Sequence, residues 1–382
     1  MKAIRHILSA CLLCAAVFQA ALAETGITDN SIALGMSVPL TGPAGTQGQE
    51  LKKVISAYFD QINKNGGING RKIQLTVMDD GYDPEKTVAN TRTLIETNKV
   101  FALLGYYGST AMTEAMNKVF GPAKVPMIGG ISGAMSLRQP PADNPNNRYM
   151  FSQRASYADE AEAIGTQLAT LGLKNIAVLY QNDGFGKAGL EGLSNALKKH
   201  NLTPSATGTV ERNSDDIGKA LTAIAKANPQ AVVMVTLHKP AAAMVKALRK
   251  ANQSPMFMTL SPVSAEQLTQ ELGNAARGIG ISQVMPYPWN STVTLVKEYQ
   301  QFIGKQGPYS YTSMEGFVIA KVAADALRKA GGKDLSREKL ISVLEGTNQD
   351  LGGYRVAFGP NNRAGSQFVQ LTVIGAGGKL IK

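Results

Sequence analysis

Residues 100–138 read VFALLGYYGSTAMTEAMNKVFGPAKVPMIGGISGAMSLR. Two short apolar, β-rich runs lie in this stretch, Phe101-Ala102-Leu103-Leu104-Gly105 and Lys124-Val125-Pro126-Met127-Ile128-Gly129-Gly130. Each ends in glycine and a Ser/Gly turn, and a helical pattern follows the first. Glycine at the carboxyl end of a strand lets backbone N–H groups turn outward, and the next helix N-terminus adds partial positive charge. Ser109, Thr110 and Ser132 put hydroxyls at the same turns. In an open α/β sheet, ligands bind at the carboxyl ends of the strands. Two such turns side by side make a receptacle for a small anionic or polar group, most simply a carboxylate. The same residues would also serve two ordinary βα connections with Ser and Thr as N-caps.

Upstream, 31–38 reads as a strand, closed by Pro39-Leu40-Thr41-Gly42-Pro43 and a polar turn through Gly48. A helix follows over 50–63, where Leu51, Val54, Ile55, Tyr58, Phe59 and Ile62 recur at i, i+3, i+4 spacing. Asn65-Gly66-Gly67 stops it. Residues 72–78 alternate as a strand, and 84–98 form a helix with Pro84 in its first turn. This βα alternation predicts a parallel sheet with helices on both faces.

Downstream, Pro/Asn-rich residues 139–148 mark a boundary, and after 149–153 the alternation restarts. Helices are expected at 157–171, 186–200, 214–227 and 241–251, with strands at 175–180, 205–210, 231–236 and 256–259. A short helix follows Ser264, then a strand at 278–284. Met285-Pro286-Tyr287-Pro288-Trp289 is a second boundary. Three helical stretches (293–304, 314–330, 337–344) follow without intervening strands, and strands near 354–358 and 368–374 end the chain. The fold expected is α/β, with two doubly wound parallel-sheet lobes joined by hinge crossings. Lobe 1 takes 24–147 and 285–350, and lobe 2 takes 148–284 and 351–382. A cleft spanned by several crossings can close by a hinge.

Residues 1–23 have the form of a cleavable export signal. Lys2 and Arg5 are the basic region, residues 7–21 the apolar core, and Ala21-Leu22-Ala23 the small-x-small site before Glu24. Leu8-Ser9-Ala10-Cys11 resembles a lipoprotein box but leaves almost no apolar core before the cut. Both cysteines, Cys11 and Cys14, lie in this segment, so no disulfide or thiolate site is expected after cleavage. Loss of Lys2 and Arg5 leaves 37 basic residues against 28 acidic, a net charge of +9. The Lys and Arg are scattered at helical spacing rather than clustered, which argues for a solvated basic surface and against nucleic acid.

Gly184-Phe185-Gly186-Lys187-Ala188-Gly189 matches a dinucleotide fingerprint, but Gln181-Asn182-Asp183 separate it from the strand, so a glycine-permitted turn presenting Phe185 is the better reading. His200 and His238 lack ligand-spaced partners, and neither a Gly-x-Ser-x-Gly elbow nor a phosphate loop occurs. No enzyme, metal or cofactor is expected. His238 and Lys239 follow the run AVVMVT, either as a donor and a cation at the mouth of the second lobe or as plain loop residues. Glu315 reads as a carboxylate at a helix start, stabilising there in any case.

These features together resemble the type I periplasmic binding proteins, and more narrowly the leucine/isoleucine/valine-type solute receptors of ABC transporters for hydrophobic amino acids and amides. The markers are Pro39-Leu40-Thr41-Gly42-Pro43, Asn65-Gly66-Gly67-Ile68-Asn69-Gly70-Arg71, residues 105–110, Asp183-Gly184-Phe185-Gly186 and Glu315-Gly316-Phe317. The resemblance implies a monomeric periplasmic receptor that hands a small carboxylate or amide solute to an inner-membrane permease. It puts the ligand carboxylate on Ser109 with Gly130, Ile131, Ser132 and Gly133, near Tyr107 and Thr110, and an aromatic, Phe185, over the ligand. Three departures from the family pattern stand out. Gly133 replaces a common hydroxyl residue, and Gln47 replaces an aromatic. Residues 256–265, which include Ser261, contain no acid to pair with an α-ammonium, and His238 takes a position that is often Tyr. The ligand is then an amino acid held by another acid such as Asp183, an amide, or a carboxylate without an amine. A sensory module feeding a membrane kinase is the alternative role.

Overall fold

The computed structural model describes residues 24–304, 307–332 and 334–382; the expected export signal, with Cys11 and Cys14, lies outside them. Among the described residues, β1 (Ser31–Val38), β2 (Lys72–Asp79), β3 (Ala102–Tyr107), β4 (Met127–Ile131) and β5 (Met150–Phe151) form a parallel sheet in the order 2-1-3-4-5. The connecting helices are α1 (Gly45–Lys64), α2 (Pro84–Arg92) and α3 (Ser109–Ala115), the last two each prolonged by a wider helical turn. Asp83 caps α2 by accepting from the amides of Glu85 and Lys86, with Pro84 in the first turn where its missing N–H costs nothing.

The second sheet holds β6 (Ile176–Gln181), β7 (Ala206–Val210), β8 (Ala231–Val235), β9 (Met256–Thr259) and β10 (Gly280–Gln283), all parallel. Antiparallel β13 (Gln370–Ile374) and β14 (Leu380–Ile381) extend it to the order 7-6-8-9-10-13-14. Its helices are α4 (Tyr157–Thr170), α5 (Gly184–Lys198), α6 (Gly218–Ala227), α7 (His238–Lys250) and α8 (Ala265–Leu272). After β10 the chain returns to the first lobe as α9 (Thr294–Ile303), α10 (Tyr311–Ala330), α11 (Arg337–Glu345) and the hairpin β11 (Asn348–Asp350) and β12 (Arg355–Ala357). α10 is buried along almost its whole first half, with Met314, Phe317, Val318 and Ile319 in the core of the first lobe. Two doubly wound sheets joined by crossings are thus present.

The lobe boundaries differ from expectation by a few residues. β5 completes the first sheet, and Tyr354, Val356 and Phe358 join the first-lobe core, so the crossings fall after Phe151 and after Phe358 rather than at 147/148 and 350/351. Helix starts moved for local reasons. α6 begins at Gly218 because Ser214 Oγ accepts from Asp216 N and Asp216 Oδ1 from Gly218 N, side-chain turns that compete with helix. α7 begins at His238, so His238 and Lys239 lie in its first turn rather than in a loop. None of the described helices is long and apolar enough to cross a membrane.

The carboxyl ends of the strands in both sheets face each other. Strand order reverses at β1 in one sheet and at β6 in the other, which puts the topological switch points of the two lobes on either side of one cleft.

Candidate functional site

On the first-lobe side, the β3–α3 and β4 turns come together as the pattern of residues 100–138 implies. Ser109 Oγ and Ser132 Oγ are 2.8 Å apart, and Ser132 Oγ also accepts from Ala134 N. Tyr157 closes over them: its hydroxyl accepts from Ser109 Oγ at 3.4 Å, and its amide donates to Gly133 O at 2.8 Å. A Cβ on Gly133 would come within 2.5 Å of Tyr157, so the ring occupies the space that a side chain at 133 would need. Arg138 fixes this turn from behind. Its guanidinium donates to the carbonyls of Ser132 and Ala134 and to Ser152 Oγ, tying the turn to the first crossing.

On the second-lobe side, Asp183 is consumed by structure. It caps α5 through the amides of Phe185 and Gly186, accepts from Gln181 Nε2 and pairs with Arg212. It is therefore not a free acid waiting for an ammonium. The Gly-x-Gly-x-x-Gly pattern has a packing cause: a Cβ on Gly186 would lie 1.9 Å from Gln181 O. Phe185 turns inward against Tyr157, ring centroids 5.1 Å apart, and is 2 % exposed.

Several candidates touch across the cleft. Gly184 N donates to Thr110 Oγ1 at 3.0 Å, Tyr107 OH to Pro262 O at 3.3 Å, and Gln181 Nε2 to Tyr82 OH at 3.2 Å. The Gln47 and Gln267 amides bond reciprocally. The Arg212 guanidinium lies over the Tyr82 ring, 5.3 Å from its centroid. The lobes meet directly, with the cleft drawn shut along these bonds.

Deeper still lies a buried ion cluster. Arg154, on the first crossing, pairs with Glu315 of α10 at 3.3 Å and with Glu160 of α4 at 3.4 Å. Glu160 also accepts from Ser261 N, Ser261 Oγ and Ser282 Oγ. Burial raises the Glu160 carboxyl, opposed by Arg154 and these donors. Burial likewise pushes Glu315 up to about 7 against the pull of Arg154, with the Glu160 charge adding to the rise. Burial also works against the Arg154 charge, but the two carboxylates outweigh it and hold the group above its ordinary value. One guanidinium thus joins elements of both lobes.

Among the described residues, two of the cavities between the lobes are lined by the expected site residues. One, of only about 20 Å³, is lined by Gln47, Tyr107, Ile131, Ser261, Tyr311 and Glu315 among others. The other, of about 580 Å³, lies at the two switch points: Gly42, Pro43 and Thr46 face Gln181, His238 and Lys239, with Gln267 at the side. The geometry therefore divides the expected residues. Gln47, Tyr107, Ile131 and Ser261 share the small cavity, and His238 lines the large one. Thr110 bridges the lobes, and Ser109, Ser132, Gly133 and Phe185 are packed around Tyr157. Gly130 is the last but one residue of β4, and its carbonyl accepts from Ser132 N at 3.0 Å.

Arg154, Glu160, Tyr157 and Arg138 escaped the sequence reading. Arg154 and Arg138 sit in aperiodic segments, where no pattern marks burial. Glu160 was legible in part. The capping box of Ser156 and Asp159 fixes the phase of α4, and Tyr157, Glu160, Ala161 and Ile164 then share its buried face.

This architecture, two α/β lobes with facing switch points and a cleft bridged by direct bonds, is that of the type I periplasmic binding proteins. The periplasmic binding protein family model matches residues 31–379, and the chain belongs to that family. A substrate-binding periplasmic protein from Ralstonia solanacearum superposes with a TM-score of 0.84 at 32% identity, over 92% of this chain and 99% of that one. The Leu/Ile/Val-binding protein homolog 3 of Brucella melitensis is 21% identical over 88% of this chain and 89% of its own length. An amino acid binding protein of Pseudomonas aeruginosa is 24% identical over 63% of each chain, so the match spans slightly less than two thirds of that relative.

Proposed function

We propose that this chain is the periplasmic solute receptor of an ABC transporter, exported by cleavage after Ala23. It captures a small carboxylate or amide solute between its lobes and delivers it to an inner-membrane permease. The observation that carries this reading is the set of cross-cleft bonds made by Thr110, Tyr107, Gln47 and Gln181, each at a strand's carboxyl end or in the first turn of the helix that follows it. Bonds of this kind form only when the lobes close, so a solute that adds contacts to both lobes shifts the population toward closure. No covalent step is involved. The hydroxyls of Ser109 and Ser132, with the first-turn amides of α3, receive the carboxylate once Tyr157 yields its place.

Aliphatic α-amino acids are not the favoured solutes in this reading. Asp183 is committed to Arg212 and to capping, Glu315 on the small cavity is paired with Arg154, and residues 256–265 offer no acid, so an ammonium there would lack a carboxylate of its own. A thermal-shift panel of amino acids, amides, and aromatic and aliphatic acids tests this, since a bound solute stabilises by mass action. An acid or amide should give the largest shift. Submicromolar binding of leucine or valine, with nothing tighter in the panel, would contradict it.

A further inference from the structure

The first turn of α7 makes none of the cross-cleft bonds described above, yet it faces the cavity at the two switch points. A helix N-terminus leaves backbone donors without intrahelical partners, and this one carries no side-chain cap. α7 is a full 13-residue helix, so its N-terminal end carries partial positive charge. Its first residue, His238, is only 7 % exposed, lines the cleft, and has an Nδ1 without a hydrogen-bond partner among the described residues. Lys239 is exposed at the same edge of the cleft. The lining also carries amides and hydroxyls, Gln181, Gln267, Gln270, Thr46, Asn213 and Ser214, beside apolar Pro43, Leu237 and Pro240. One acid, Asp215, lies at the exposed rim. A buried imidazole left unsatisfied, an uncapped helix start and a lysine converging on about 580 Å³ of space is an arrangement that wants an anion.

We propose that the first turn of α7, with His238 and Lys239, is an anion subsite of the second lobe. Because this rests on the reading that the first-lobe turns hold one carboxylate, it makes the captured solute a small dicarboxylate, with one acid group presented to each lobe. The dianion then draws the lobes together by charge at both ends, which a monoacid cannot do. The diffuse excess of basic over acidic residues favours the encounter with such a solute.

The test is titration calorimetry with matched pairs that differ by a single charge: succinate against succinamate, glutarate against glutaramate, adipate against adipamate, and terephthalate against terephthalamate. Leucine and benzoate serve as controls for the wider receptor reading. At least one diacid should bind roughly ten-fold or more tighter than its monoamide, about what a charge-assisted contact contributes. Lys239→Glu should abolish that preference while leaving the melting temperature of the free protein unchanged or slightly higher, because an acid is favourable at a helix N-terminus. A merely structural role for Lys239 would not separate the two readouts. His238→Gln should reduce the diacid preference in the same direction. Equal affinity for diacid and monoamide, or a preference that survives Lys239→Glu, overturns the subsite; tight binding of a control solute in that case leaves the receptor reading standing. If no solute of any class binds, both readings fall together.

Discussion

Ser109 shows how one hydroxyl can serve two states of the cleft. In the closed arrangement it is 2 % exposed and lies between Ser132 Oγ and the Tyr157 hydroxyl. With solute bound, the proposed function gives it a carboxylate to donate to. Ser109→Ala should therefore weaken solute binding by about 1–3 kcal/mol, the worth of a hydrogen bond to a charged group in a desolvated site. The stability of the free protein should scarcely change, because with the lobes apart this hydroxyl faces solvent. Calorimetry that finds unchanged affinity would move the carboxylate elsewhere. The hydroxyls at these turns stand out in the sequence because each comes just after a glycine at a strand's end, a pattern that ordinary βα connections with N-capping Ser and Thr share. Tyr157 was not legible, since nothing in residues 100–138 shows that a residue from the next lobe covers the turn.

Periodicity is a strong signal at the scale of the element, and every expected helix and strand between residues 31 and 345 has a counterpart. What it missed were the ends, which depend on side-chain turns such as those of Ser214 and Asp216, and the links between elements. The most consequential link is the crossing that carries Arg154 between α10 and α4. Glu315, read in sequence as a helix-start carboxylate, lies instead in the buried first half of α10, paired with that arginine. Its carboxyl, raised from 4.5 to about 7, gives a defined pH signature. Between these values the folded protein keeps a proton that the unfolded chain has shed. Glu315 thus contributes stability that is fully present below about 4.5 and is lost as pH rises through 7. Glu315→Gln, which mimics the protonated form, should flatten this part of the stability–pH curve measured by urea denaturation. A variant curve parallel to the parent's would show that Glu315 titrates normally and that the cluster is not closed to solvent.

For the molecule as a whole, the two-lobe design follows from βα alternation restarting after a Pro/Asn-rich break, and that restart is plain in the sequence. How the lobes face each other is not, because many of the bonds that join them link residues far apart in the chain, such as Thr110 with Gly184, 74 positions away, and Gln47 with Gln267, 220 positions away. Trp289 is placed to report on this arrangement. It packs at an angle against Tyr287 and edge-on against Tyr311, is 39 % exposed, and lines a groove of about 1080 Å³ whose far wall is Gln267, Gln270 and Leu380 of the second lobe. Movement of the lobes about the crossings changes that wall. The most direct measurement is small-angle X-ray scattering of the protein alone and with the most stabilising solute of the panel, with Trp289 emission recorded in parallel. Saturating solute should reduce the radius of gyration and alter the emission. A solute that binds at saturation yet changes neither would contradict capture by closure.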